Sequence, residues 1–165
     1  MQNMSLKAEI ELNRPFESQD EVLLLSLIYT NQLVERAAAR FLATYDLTPT
    51  QFNALMIVRD YEKQGINQSE LARRLLINRA STGTLIDNLG QRQLLVRMPV
   101  LGDRRAYHLV LTEYARRLLR RIHKPYYARI AEVLSAFRTR EKRAVAGFLE
   151  RFRSRLQTTT TDLEG

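Results

Sequence analysis

Hydrophobic and polar positions alternate along most of this chain with the period of an α-helix. From Asp20 to Tyr45 apolar residues recur every three or four positions with no glycine or proline between them, which predicts one long helix. Residues 1–17 show no such period and contain Pro15, so an irregular arm is expected there. The recurring apolar positions of the helix are Val22, Leu25, Ile28, Tyr29, Leu33, Ala37 and Phe41.

Capping residues predict a shorter helix directly afterwards. Thr48 is placed to cap its N-terminus, with Pro49 at the first helical position and Gln51 where a capping box needs Glu or Gln. This helix should end near Lys63, because Gly65 can act as the stop.

The same capping signal occurs twice more. Asn67 is placed to cap a short helix that runs through Leu75, and Glu70 is placed to reach back to the backbone of the cap. After a break, Asn78 is placed to cap a further helix that runs to about Gln91.

This further helix has two contrasting faces. Its apolar stripe, which we expect to be buried, consists of Thr82, Leu85, Ile86 and Leu89. At 3.6 residues per turn the opposite side carries mostly small or neutral hydrogen-bonding residues. These are Ala80, Thr84, Asp87 and Gln91, flanked by Ser81, Gly83 and Asn88.

The period then changes to that of β-structure. Residues 94–98 and 106–111 are predicted to form two strands, and residues 99–104 between them carry turn residues at both ends. The result is a hairpin whose basic tip contains Asp103, Arg104 and Arg105.

Two more helices complete the chain. Thr112 is placed to cap a helix that runs into the 130s, and Pro125 inside it predicts a kink or a break. Thr139 is placed to cap a last helix over residues 140–156, and the polar residues 158–161 are expected to form a frayed tail.

Composition excludes several classes of protein. The 165 residues contain no cysteine, which removes disulfides, thiol nucleophiles and Cys-ligated zinc. The two histidines, His108 and His123, are too few for a His-rich metal site, so no metal or cofactor is expected. No paired carboxylates, nucleophile–base set or phosphate loop indicates an enzyme. No apolar run approaches the ~20 residues of a membrane span, and no signal-type core is present, so we expect a cytoplasmic protein without a membrane partner.

Net charge indicates the kind of partner. The chain carries +8 at pH 7, and a protein this basic usually has a polyanionic partner, with nucleic acid the first candidate. The alternative is a charge excess that only aids solubility. The charge is uneven, since residues 1–66 carry a net −3, residues 67–112 a net +4 and residues 113–157 a net +9.

The order of elements is that of a winged helix-turn-helix, a mainly α fold with a small β-hairpin wing. Its recognition helix can enter the major groove of DNA, where its N-terminal turn reaches base edges. Asp87 is either an acceptor for a cytosine amine or a simple surface acid. Gly83 either permits close backbone approach to DNA or is a tolerated surface glycine. The residues expected to bind DNA are Asn78, Arg79, Ala80, Ser81, Thr84 and Asn88.

The hairpin tip supplies a second candidate contact. An arginine at the tip of a thin ribbon can enter a narrow minor groove, where the negative potential is enhanced, and a neighbouring aspartate can fix its orientation. The alternative is a solvated turn whose charges aid solubility. The position of Asp103, Arg104 and Arg105 directly after a helix-turn-helix favours DNA binding.

Residues 48–118 resemble the MarR family of bacterial transcriptional regulators. The Asp-x-Arg followed by Leu-Thr in the hairpin matches the wing signature of that family position by position. The matching segments are LTPTQFNAL (47–55), NQSELARRL (67–75), LIDNL (85–89), the LLVR segment ending at Arg97, and DRRAYHLVLT (103–112).

The resemblance implies that N- and C-terminal helices form a dimer interface, and that the homodimer binds a pseudo-palindromic operator of double-stranded DNA. It divides the chain into an arm and dimerisation helix (1–46), a winged helix-turn-helix DNA-binding region (47–112) and C-terminal dimerisation helices with a tail (113–165), within one structural domain. The minor-groove arginine of the family falls on Arg105 and its wing-stabilising aspartate on Asp103.

Two positions depart from the family pattern. Leu76, between the two small helices, and Gln93, before the first wing strand, stand where the family usually has glycine. Glycine supplies a positive φ at such places. Either the turns are remodelled, or these two residues adopt the left-handed conformation at some cost.

The resemblance also implies a small-molecule effector, often an aromatic carboxylate, held between the dimer helices and the winged module. The absence of cysteine excludes thiol oxidation as the signal, and the absence of tryptophan argues against a urate-type pocket. For each candidate residue the alternative is core or interface packing, and for His108 and His123 it is an ordinary surface or partly buried position. The candidate pocket residues are Tyr29, Arg40, Phe52 and Tyr126, with Tyr45 and Tyr127 nearby in sequence.

These observations together predict a homodimeric, ligand-responsive transcriptional regulator, with repression expected rather than activation. One alternative is an architectural protein that binds DNA without sequence preference, and another is a winged-helix module that binds proteins only. The charge on residues 113–157 is expected to attract DNA at long range or to pair with the acidic first third of the chain across the dimer.

Overall fold

The computed structural model describes residues 6–100 and 102–161, and for residues 103–105, 160 and 161 it describes the backbone only. Within these residues the chain is mainly helical with one antiparallel two-stranded sheet, which confirms the predicted fold class. The elements are α1 (Leu6–Glu9), α2 (Gln19–Ala43), α3 (Pro49–Asp60), α4 (Gln68–Leu75), α5 (Arg79–Gln91), β1 (Leu95–Val100), β2 (Asp103–Leu111), α6 (Glu113–Leu134) and α7 (Thr139–Thr161).

The predicted long helix is present as α2. Ser18 caps it, since the Ser18 hydroxyl accepts the backbone N–H of Glu21 at 3.1 Å. The segment before it was expected to be irregular, but it contains the short helix α1. That helix is a single turn, too short to show a hydrophobic period. The backbone N–H groups of Ile10 and Leu12, which follow it, donate to the carbonyls of Leu6 and Lys7.

Helix α3 begins as predicted. The Thr48 hydroxyl accepts the N–H of Gln51 at 3.2 Å, and the Gln51 side chain accepts the N–H of Thr48 at 3.0 Å, which completes a capping box. The helix ends at Asp60, three residues before the predicted Lys63. Gly65 then closes the following turn in the left-handed conformation, at φ +76°.

Helix α4 confirms the cap at Asn67 but not the reciprocal bond from Glu70. The Asn67 side chain accepts the N–H of Glu70 at 2.9 Å. The Glu70 carboxylate instead pairs with Arg73 at 2.8 Å and with Arg74 at 2.6 Å, one turn further on. The bond from Arg73 holds the pKa of Glu70 below its ordinary value. The expectation failed because two arginines compete with the backbone N–H for one carboxylate.

The two unusual turns keep a glycine-like backbone without glycine. Leu76 has φ +54° and Gln93 has φ +55°, so both adopt the left-handed conformation. The first turn is held by the N–H of Ile77, which donates to the carbonyl of Ala72 at 3.2 Å. The turns are therefore preserved rather than remodelled, at a cost of about 1 kcal/mol per residue.

The hairpin is longer and its turn tighter than predicted. Strands β1 and β2 pair antiparallel with Leu95 opposite Leu111 and Met98 opposite His108. The register shifts after Pro99, and Val100 pairs with Asp103, so the turn is shorter than the predicted 99–104. The β-bulge draws residues expected in the turn into the second strand.

The buried core lies where the small helices meet the hairpin. Helix α3 packs against α2, α4 and β2, while α4 packs against α5, and α5 against β1. The largest fully buried side chains are Leu42, Leu55, Val58, Ile66, Leu71, Thr82, Ile86, Leu89, Leu94, Leu111 and Ile122. They come from α2, α3, α4, α5, β2 and the first half of α6, and from the segments directly before α4 and β1.

The chain divides into two compact units, one that ends at Ile122 and one that begins at His123. In the first, the Thr112 hydroxyl caps α6 by accepting the N–H of Ala115 at 3.1 Å, as predicted. Helix α6 is continuous through Pro125, so the break foreseen there does not occur.

Helix α7, in the second unit, differs at both ends from the prediction. It begins at Thr139, so Thr139 is its first residue rather than its cap, and Glu141 accepts the preceding N–H of Arg138 at 2.7 Å. The predicted frayed tail is helical to Thr161. Thr158 supports it by donating to the carbonyl of Ser154 at 2.7 Å. None of the helices in the described part of the chain combines the length and apolar character needed to cross a membrane.

Candidate nucleic-acid interface

Helix α5 begins with a complete cap. The Asn78 side-chain oxygen accepts the N–H of Ser81 at 2.8 Å. Asn78 and Arg79, the first helical residue, are both exposed. Both residues lie at the positive end of the helix dipole, where an anion is stabilised.

The two faces of α5 are those the sequence predicts. Thr82, Ile86 and Leu89 are buried, and the Thr82 hydroxyl donates to the carbonyl of Asn78 at 2.9 Å, so the one polar group of the stripe is satisfied. Leu85 is half-buried at its edge. The opposite face is exposed along its whole length, at Ala80, Ser81, Thr84, Asp87 and Gln91.

Gly83 lies beside α4 rather than on the exposed face. A Cβ at this position would lie 3.3 Å from the side-chain nitrogen of Gln68. That nitrogen donates to the carbonyl of Arg79 at 3.1 Å and so ties the first turn of α5 to α4. Neither of the roles considered for Gly83 describes this contact, since the glycine makes room for the Gln68 side chain.

Asp87 forms a salt bridge with the wing. Its carboxylate lies 2.7 Å from the guanidinium of Arg97 on β1. This salt bridge joins the middle of α5 to the first wing strand. The sequence allowed Asp87 to be either an acceptor for a cytosine amine or a simple surface acid, and in the structure its carboxylate is paired with Arg97.

Asn88 is exposed, as predicted, but its side chain bonds to the protein. Its oxygen accepts a hydrogen bond of 2.8 Å from the amide of Gln51 on α3. Gln51 also bonds to Arg92, at the end of α5. Sequence reasoning used Gln51 only as a cap, because the partners lie 37 and 41 positions away.

The wing residues are placed by their backbone. Asp103, Arg104 and Arg105 open β2, and Asp103 pairs with Val100 beside the turn. Their side chains lie outside the described part of the structure, so the roles assigned to them stay predictions.

A cleft of about 350 Å³ separates the first turns of α4 and α5 from the wing strands. Arg79 and Arg97 give it positive charge. Sequence reasoning missed this site, because the residues belong to four elements that only the fold brings together. It is lined by Asn67, Gln68, Ser69, Arg79, Arg97, Ala106, Tyr107, His108 and Leu109.

The four candidate pocket residues lie in different surroundings. Phe52 is 3% exposed within the core of α3, Tyr29 is half-buried on α2, and Arg40 is exposed near the end of α2. Tyr126, in the second unit, is half-buried and contacts the ring of Tyr127 edge-on at 5.6 Å between centroids. Their grouping into one pocket stays a prediction.

Neither histidine belongs to a metal cluster among the residues that the structure describes. His108 is half-buried in the cleft, and its ring fills the space that a Cβ on Gly65 would need. His123 packs its ring against Tyr127 at 4.7 Å between centroids.

The helix-turn-helix, its exposed recognition face and the hairpin define a winged-helix transcriptional regulator. The family model that matches residues 47–107 is that of the MarR family. The chain is also 30% identical over 123 residues to the HTH-type transcriptional regulator PecS of Dickeya dadantii, a match that covers 72% of this chain and 74% of PecS. The chain therefore belongs to the MarR family.

Solved structures share the fold at lower sequence identity. AbsC, a MarR family transcriptional regulator from Streptomyces coelicolor, superposes with a TM-score of 0.79 at 17% identity, covering 88% of this chain and 99% of AbsC. The S. aureus MepR–DNA complex superposes with a TM-score of 0.76 at 18% identity, covering 84% of this chain and 99% of MepR.

Proposed function

We propose that this protein represses transcription by binding a pseudo-palindromic DNA operator as a homodimer. The observation that carries the proposal is the exposed face of α5, which presents small hydrogen-bonding side chains opposite the buried residues Thr82, Ile86 and Leu89. Such a face fits a major groove, where hydroxyl and amide groups read base edges. Arg79 at the start of the helix is placed for a phosphate or a guanine. The DNA complex of the family member MepR supports the same partner.

A homodimer is supported by apolar surface on α2. Leu24, Ile28, Leu33 and Val34 are exposed there, and exposed apolar side chains gathered on one element are a feature of protein–protein interfaces. The second unit has its own exposed apolar residues, including Val133, Phe137 and Val145. Two recognition helices in one dimer would bind half-sites about 10 bp apart, or a multiple of one helical turn.

An effector would release the operator by changing the spacing of the two recognition helices, since binding depends on both entering the groove at once. The proposed effector site lies near Tyr29, Arg40 and Phe52 of the first unit. The cleft beside α5 offers a second location, because the exposed Arg79 suits a small organic anion there.

Selection from random duplexes tests the proposal. Protein immobilised at physiological salt is incubated with a pool of random double-stranded DNA, and the retained sequences are read after several cycles. We expect an inverted repeat with about 10 bp between half-site centres, bound in a gel-shift assay at least 10³ times more tightly than random DNA of equal length. A pool that stays random would favour the architectural alternative, and retention of no DNA at all would favour the protein-binding module.

A further inference from the structure

A chain of polar side chains connects the end of the recognition helix to the corner between α2 and α3. We name it the α3–α5 bridge, and it consists of Asp46, Gln51, Asn88 and Arg92. The bonded pairs lie 37 to 46 positions apart in sequence, and every link joins two different elements or the turn between them.

Gln51 is the centre of the α3–α5 bridge. Its side-chain oxygen accepts two hydrogen bonds, from the N–H of Thr48 at 3.0 Å and from the guanidinium of Arg92 at 3.1 Å. Its side-chain nitrogen donates to Asn88 at 2.8 Å. The Gln51 side chain thus bonds to the first turn of α3 and to two successive turns of α5, and these bonds fix its rotamer.

Arg92 extends the connection to the end of α2. Its guanidinium donates to the carboxylate of Asp46 at 2.7 Å and to the backbone carbonyl of the same residue. Asp46 has φ +56° and lies in the turn that leads from α2 into α3. The Arg92 fork therefore holds a backbone conformation that an L-residue rarely adopts.

The α3–α5 bridge contributes little to the free energy of unfolding, because it lies at the protein surface. The Asp46 side chain is 94% exposed, and exposed ion pairs are worth little. What the bridge does fix is geometry, since it fastens the C-terminal half of α5 to the α2–α3 corner. Two further side-chain contacts hold α5 to its neighbours, the Gln68 bond to its first turn and the Asp87 salt bridge to the wing.

We propose that Gln51 and Arg92 are positioning residues for DNA recognition, and that Asn88 serves the same bridge instead of reading a base. The proposal rests on the proposed function and extends it. The bridge sets the angle between the recognition helix and α2, so a displacement of α2 is passed to α5. Specific binding depends on that angle, whereas non-specific binding depends mainly on charge.

Four neutral or charge-conserving variants test the proposal in gel-shift titrations, with the duplex selected by the wild-type protein and a random duplex of equal length. Asn88→Ala should weaken binding to the selected duplex about three- to tenfold, the range expected for one lost hydrogen bond, and Gln51→Ala, which removes three bonds, should weaken it at least as much. The double variant should lose no more than Gln51→Ala alone, because that change already removes the bond between Gln51 and Asn88. Arg92→Lys keeps the charge but loses the fork, and should act similarly.

Two further variants separate positioning from general damage. Gln51→Glu keeps the bonds from Thr48 and Arg92 and accepts one from a turned Asn88 amide, so it should bind within twofold of the wild type. Asn53→Ala removes an exposed amide from the same helix and should change nothing. Affinity for the random duplex should stay within twofold in every variant except Gln51→Glu, which is the one variant that changes the net charge.

A different pattern would overturn the proposal. If Gln51→Ala binds like the wild type while Asn88→Ala weakens binding and changes the sequence selected at one position, Asn88 reads a base directly. Equal losses on the selected and random duplexes would also contradict a positioning role. A wild-type protein without preference for any duplex would refute the proposed function itself, and that result appears before any variant is made.

Discussion

At Leu76 the residue type does not match the backbone conformation of its position. Its backbone is left-handed, a conformation that disfavours a residue with a Cβ. Its side chain is 92% exposed, so burial of the side chain does not offset that cost. The turn between α4 and α5 therefore keeps the backbone that glycine would adopt freely while a leucine stands in it.

We expect Leu76→Gly to stabilise the protein by up to about 1 kcal/mol, because relief of the left-handed strain exceeds the added entropy of the unfolded chain. For a chain of this size the melting temperature should rise by about 2–4 °C per kcal/mol, measured by circular dichroism. Ser81→Gly, in the exposed face of α5, is the matched control and should lower the melting temperature. A lower melting temperature for Leu76→Gly would show that the leucine contributes a favourable contact.

Gly65 is a glycine that the fold requires. It combines φ +76° with the His108 ring in the place where a Cβ would lie. We expect Gly65→Ala to destabilise the protein by about 3 kcal/mol, because strain and a steric clash add. Thermal unfolding measures the loss.

Gly102→Ala is the control for backbone strain alone. Gly102 has φ +89°, but no described atom lies within 4 Å of a Cβ there, so the loss should be about 1 kcal/mol. His108→Ala in the Gly65→Ala background should recover part of the stability. Equal losses for the two glycine variants would mean that the His108 ring moves aside freely.

At the scale of elements, local sequence signals predicted the positions of most helices. They did not predict the contacts that join one element to another. The capping box of α3 and the stripe of α5 depend on residues three or four positions apart, so a linear sequence contains them. The hairpin was predicted with the correct strands but a longer turn, because the bulge after Pro99 depends on pairing between strands. The end of α7 extends as a helix through residues that composition alone marked as a tail.

For the wing the sequence predicts a specific function, the contact of Arg105 with the minor groove. We expect Arg105→Ala to weaken binding to the selected duplex five- to 100-fold without unfolding the protein, since a groove contact by arginine is worth about 1–3 kcal/mol. Gel-shift titration and circular dichroism measure the two properties. Arg155→Ala removes an equal charge from α7 and should cost no more than the general electrostatic loss. Unchanged binding by Arg105→Ala would refute the wing assignment.

At the scale of the whole molecule, the net charge of +8 does not map the recognition surface. The segment from α4 through the wing holds a net +4, whereas residues 113–157 hold +9. Part of the latter charge is paired within the first unit, where Glu113 and Glu62 bond to arginines of α6 and where Arg120 lowers the pKa of Glu113. The recognition face itself is mostly neutral, as a surface that reads base edges should be.

Assembly is the property of the whole molecule that is easiest to disrupt. We expect Val34→Asp, in the exposed apolar surface of α2, to shift the mass measured by light scattering from two chains towards one, because a buried unpaired carboxylate opposes association. Binding to the selected duplex should fall in parallel. Leu76→Asp is the control, an equally apolar exposed residue outside α2, and should leave the mass unchanged. A wild-type protein with the mass of one chain would refute the homodimer.

The sequence by itself determined where α2 to α6 and most of α7 lie, which face of α5 is buried and which class of protein this is. These features depend on caps and periods that operate within a few residues. Only the tertiary structure decided which groups Asp87, Asn88 and Gly83 contact, and that Arg79 and Arg97 line one cleft. Their partners are brought close by folding alone, and hydrogen bonds and salt bridges act over a few ångströms whatever the distance along the chain.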